Sequence, residues 1–159
     1  MSILLSLLLA GCATDSSAAL LSTFADDLSS LRSTVDDHAA TVQACTDLGQ
    51  VAALETSYAQ DWGTGMDAMQ QAMDDLAGCD MGSGEMGMMD DARTMCDDMT
   101  SAVSAHGTEQ DAADSLDTCF TNEDDHVQAM HDWMDQLGVD HDGWQGSGMQ
   151  CHMSGGMGM

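Results

Sequence analysis

Residues 48–76 read LGQVAALETSYAQDWGTGMDAMQQAMDDL, and Leu48, Val51, Glu55, Tyr58, Trp62, Met66, Met69, Met73 and Leu76 recur there at steps of three and four. That spacing returns side chains to one face of an α-helix, so the stretch predicts a single long helix with a heptad-like seam. Upstream, from about Ser17 to Cys45, Leu21, Phe24, Leu28, Leu31, Val35, His38, Val42 and Cys45 keep the same rhythm. Downstream, glycines between residues 78 and 87 predict a loop, after which Met88, Ala92, Met95, Met99, Ala102 or Val103, and His106 form a third seam. A fourth begins near Leu116 with Cys119, Glu123, His126, Met130, Met134 and Leu137. The chain has no proline to interrupt any of these helices. Short connections near Asp47 and Ser115 make each helix pair an antiparallel hairpin.

The expected fold is therefore all-α: an up-down-up-down four-helix bundle over residues 13–138, built from hairpins 17–77 and 88–138. A flexible Gly-, Met- and His-rich tail is expected over 139–159. The hairpins look duplicated, because a shift of 68 residues superposes 31–69 on 99–137 without a gap. Ser33, Val35, His38, Ala44, Leu48, Glu55, Gln60, Met66 and Asp67 then meet identical residues at Ser101, Val103, His106, Ala112, Leu116, Glu123, Gln128, Met134 and Asp135. Five of these nine pairs lie on the seams.

Six polar residues occupy seam positions: His38, Glu55, Tyr58, His106, Glu123 and His126. Measured from the two turns, at about 1.5 Å per residue, they fall in one layer roughly 14–16 Å below the turn end. Only four glutamates stand against 24 aspartates. Two of the four take repeat-equivalent core positions, so the longer reach of glutamate matters there. A buried carboxylate without a partner costs several kcal/mol or takes up a proton. Convergence of imidazoles and carboxylates in a dry bundle points to a bound cation, with zinc or copper favoured by the donors and iron possible. The competing reading is a hydrogen-bonded polar layer that fixes helix register.

Glu123-x-x-His126 resembles the Glu-x-x-His element of ferritin-like bundles, in which positions i and i+3 point inward together. The duplicate, Glu55-x-x-Tyr58, keeps only the glutamate, and His38 and His106 stand where that family supplies Glu. The resemblance implies a redox di-metal enzyme as one alternative.

At the N-terminus an apolar run from Ile3 to Leu9 ends in Leu9-Ala10-Gly11-Cys12. The run is too short to span a bilayer and suits a signal-peptide core over residues 1–12. The four residues resemble the bacterial lipobox. That resemblance implies cleavage before Cys12, lipidation of its thiol and anchoring in the cell envelope. Ala13 after the cysteine implies the outer membrane. A chain so exported meets an oxidising compartment, where Cys45, Cys79, Cys96, Cys119 and Cys151 can form disulfides. Their odd number leaves one without an internal partner. Placement in the bundle suggests Cys45 with Cys119 and Cys79 with Cys96, and metal-binding thiols are the alternative.

The formal net charge is −26, with Arg32 and Arg93 the only fixed cations among 159 residues. Such a surface repels phosphate backbones and excludes nucleic acid as a partner. The 16 methionines read mainly as core filler. Met149, Cys151, His152 and Met153 nevertheless lie within five residues and form a second set of candidate metal ligands. No nucleophilic triad, phosphate loop or cofactor fingerprint is present. The leading expectation is a lipid-anchored metal-binding bundle for storage, buffering or resistance, without catalytic residues. A structural envelope lipoprotein with no ligand is the third alternative.

Overall fold

The computed structural model describes residues 15–149 and Cys151. The expected signal segment over residues 1–12, together with His152 and Met153, lies outside the described residues. Four helices follow in chain order: α1 (Asp15–Gln43), α2 (Leu48–Ala77), α3 (Ser83–Ala112) and α4 (Leu116–Gly146). α1 and α3 each pack on both α2 and α4, which closes the ring of an up-down-up-down bundle. Among the described residues, no helix is long and apolar enough to cross a membrane.

The turns within the two hairpins are built alike. Asp47 caps α2 by accepting from the Gln50 amide, and Ser115, its equivalent in the repeat, caps α4 by accepting from the Thr118 amide. A short oxygen-bearing side chain at each position pairs an otherwise orphaned amide at the helix start. These caps set where α2 and α4 begin, and thereby the depth at which Glu55 and Glu123 enter the bundle.

Two apolar clusters fill the interior. The larger joins all four helices through Phe24, Leu31, Val35, Trp62, Met69, Met73, Met99, Met130, Met134 and Leu137. The smaller, at the turn end, consists of Val42, Val51 and Cys119, with half-buried Leu54, Leu116 and Phe120 around it. On α1, α2 and α4 the polar layer falls at the junction of these clusters, and His38, Glu55, His106, Glu123 and His126 are all buried.

The chain departs from expectation where glycine suggested loops. α3 begins at Ser83, five residues before Met88, with Gly84 and Gly87 inside it. α4 continues through Gly138 and Gly143 to Gly146, so residues 139–146 belong to the bundle and not to a tail. Each helical glycine costs about 1 kcal/mol relative to alanine. Burial of a large aromatic side chain offsets more than that, and Trp144 is completely buried, edge-on to Phe24. Gly143 also serves packing directly, since a Cβ there would stand 3.0 Å from the Met88 sulfur.

The disulfide expectations are corrected as well. Cys79 is bonded to Cys151, while Cys45, Cys96 and Cys119 are free. The lengthened α4 carries the chain back over the α2–α3 loop, bringing Cys151 to Cys79 with Met149 buried beside them. Cys96 faces the core, and burial pushes its thiol up to about 12, so it stays protonated. Cys45 directs its S–H to the Thr41 carbonyl of its own helix.

Candidate metal centre

His38 and His106 enter the layer from α1 and α3, and Glu55 and Glu123 from α2 and α4. Each of the four can place one donor atom within 4.8 Å of the other three. His38 Nε2 lies 3.0 Å from Glu55 Oε1 and 3.5 Å from Glu123 Oε2. His106 Nε2 lies 2.9 Å from Glu123 Oε2 and 3.7 Å from Glu55 Oε1. Nitrogen and oxygen thus alternate around a small ring with the approximate twofold symmetry of the repeat. A tetrahedral ion about 2.0–2.1 Å from such donors spaces them roughly 3.3 Å apart, which falls inside the range of these four separations. The cluster could hold a metal ion, with all four donor atoms within 4.8 Å of one another.

The other pair of the layer stands behind this ring. Tyr58 stacks on His38 at 4.0 Å between ring centroids, and His126 stacks on His106 at 4.1 Å. The Tyr58 hydroxyl and His126 Nε2 are 2.8 Å apart. Burial, reinforced by the neighbouring His106, lowers His126 to about 3, outweighing the opposing pull of Glu123. Burial and the carboxylates of Glu123 and Glu55 raise the Tyr58 phenol above its usual range. Both groups are therefore neutral, and the tautomer of His126 sets which of them supplies the shared proton. With Nε2 so engaged, His126 acts here as a support for His106, and Tyr58 as one for His38.

Gln110 belongs to the site although the repeat gives no hint of it, since its equivalent is Val42. Its side-chain amide donates to the Cys119 carbonyl at 3.1 Å and to Glu123 Oε2 at 3.3 Å. The available signal was its position four residues beyond His106, on the same helix face. Glu123 is held below the ordinary glutamate range. Burial pushes it up, but the hydrogen bond with His106 and the facing imidazoles of His38, His106 and His126 outweigh that.

Five buried side-chain nitrogen or oxygen atoms lack a partner among the described residues, and three lie here: His106 Nδ1, Gln110 Oε1 and Glu123 Oε1. Buried polar atoms are nearly always paired, so such a concentration marks a place where water or an ion completes the network. Charge points the same way. Two carboxylates and two neutral imidazoles around a divalent ion sum to zero, which removes much of the cost of burying charge.

Of the second candidate set, Met149 is buried, and the disulfide withdraws Cys151 as a thiolate ligand. Cys45 and Cys119, at the turn end, are also held in the thiol form, mainly by burial. Comparison with protein-family models, with curated proteins and with solved structures finds no match for this chain.

Proposed function

We propose that this chain binds one divalent borderline ion, zinc or copper(II), in its His/Glu layer and serves in metal storage, buffering or resistance. The carrying observation is the ring of His38, Glu55, His106 and Glu123, all buried and mutually within reach of one ion. No thiolate or thioether belongs to this donor set, which favours zinc or copper(II) over copper(I). Four protein ligands fill a tetrahedral shell, as a holding site requires. A catalytic site keeps a position open.

The test is metal analysis and thermal melting of untagged protein. One ion per chain and a raised melting temperature are expected. Absence of stoichiometric metal, with no change in melting on adding zinc or copper(II), would overturn the reading in favour of a plain hydrogen-bonded layer. Oxygen-dependent absorbance from an iron-loaded form would favour the di-metal enzyme instead.

The same proposal places the bundle in the cell envelope, on a lipid carried by Cys12. Support comes from Leu9-Ala10-Gly11-Cys12 at the end of the apolar run from Ile3 to Leu9. Incorporation of a palmitate analogue by cells expressing the chain is expected, with complete loss in Cys12→Ala. Labelling that persists in that variant would refute the anchor.

A further inference from the structure

The four donors are sealed unequally. The side chains of His106 and Glu123 are 1% and 0% exposed, whereas those of His38 and Glu55 are 5% and 7% exposed. On the more open side, α1 and α2 enclose a groove of about 570 Å³. His38 and Tyr58 line it beside the hydroxyls of Thr34 and Ser57 and the carboxylates of Asp37 and Asp61. A ligating residue of the ring is therefore also part of the groove wall.

The internal repeat provides a comparison within the same molecule. Gly65 lines the α1–α2 groove, and a Cβ there would stand 2.7 Å from Leu31 Cδ2, so glycine lets the buried Leu31 pack closely against α2 and adds no side chain of its own to the wall. Its equivalent on the α3–α4 side is Trp133, half-buried and packed against the main core. A bulky indole thus stands at the register position that glycine holds in the first hairpin, and that side carries the two more deeply sealed donors.

Resting on the metal-binding reading above, we propose that the α1–α2 groove is the entry port through which a hydrated divalent cation reaches the buried ring. His38 is the first ring donor that the cation meets. The surface field of a strongly acidic protein concentrates cations at such an opening. Groove hydroxyl and carboxylate oxygens then replace water ligands stepwise before the ion is handed to His38 and Glu55, so full dehydration never precedes coordination.

The experiment is stopped-flow uptake of cobalt(II) by the full chain, followed by its visible absorption, with the His106→Ala variant defining the signal of the buried ring. Ser57→Trp narrows the port, and Asp125→Trp makes the matched change on the opposite side; both positions are exposed, so folding is preserved. Ser57→Trp is expected to slow uptake by at least about tenfold while reaching the same final absorbance, and Asp125→Trp to load at the wild-type rate. Asp37→Asn with Asp61→Asn should slow uptake and flatten its salt dependence. Full loading of Ser57→Trp at an unchanged rate, or equal slowing by Asp125→Trp, overturns the port and leaves the binding site intact. Wild-type protein that gives no cobalt spectrum at equilibrium overturns the site itself, and the port with it.

Discussion

His106 and His126 share a stacked pair yet differ in role, because only His106 presents Nε2 to the carboxylates. His106→Ala is expected to abolish stoichiometric metal binding. His126→Phe keeps an aromatic ring behind His106 and should weaken binding only about tenfold, as loss of an outer-sphere support does. Calorimetric titration with zinc distinguishes the two variants. His126 also makes an acid-sensitive contribution to the metal-free protein. Its folded value of about 3 lies below the ordinary imidazole value of about 6.5, so between those limits the unfolded chain binds a proton that the folded chain refuses. Stability is therefore present above pH 6.5 and lost as the pH falls towards 3, by up to about 1.4 kcal/mol per pH unit. Denaturant unfolding at several pH values should show wild type losing stability relative to His126→Phe across that window. Parallel curves would contradict the assignment of His126 as a neutral imidazole in the folded protein.

At the scale of elements, the C-terminal turns of α4 matter most. They bury Trp144 and Asp140 and lead to the Cys79–Cys151 bond, which closes a separation of 72 residues. Trp144→Ala should cost about 3–5 kcal/mol, the usual penalty for emptying a large buried aromatic site. Cys151→Ser should cost about 2–4 kcal/mol by releasing a long loop in the unfolded chain. Removing residues 139–159 should destabilise the bundle by more than either substitution. Because the His/Glu ring lies towards the opposite end, beneath the α1–α2 and α3–α4 turns, Cys151→Ser should bind zinc as the wild type does in titration. Loss of both stability and binding in Cys151→Ser would mean that the two ends are coupled. Helix start signals were legible here, since Asp47 and Ser115 cap as their residue types suggest. The ends of α3 and α4 were not, because local glycine preference was overridden by contacts with Phe24 and Met88 that are distant in sequence.

Across the whole molecule, a formal charge of −26 opposes compaction at low ionic strength. Arg32 pairs with Asp135 between α1 and α4, and Arg93 with Asp74 between α3 and α2, but these exposed pairs add little. Raising salt from about 0.01 M to 1 M shrinks the screening length from about 30 Å to about 3 Å, so the melting temperature should rise over that range. A flat response would show that surface repulsion does not limit the fold. A divalent ion at 100 times its dissociation constant should add about 2.7 kcal/mol, reversed by a chelator.

The spacing of apolar residues by itself determined the helical class, the four elements and the hairpin order, because helical periodicity is a local property of the chain. Repeat-equivalent placement likewise put His38, Glu55, His106 and Glu123 at one depth, and in the structure their donor atoms lie within 4.8 Å of one another. Tertiary structure alone decided which atoms face one another: that Tyr58 occupies His126, that Gln110 joins Glu123, and that Cys79 meets Cys151. Those outcomes depend on side-chain direction and on contacts between distant segments. Periodicity assigns a residue to a face and a depth, and packing then selects its partner.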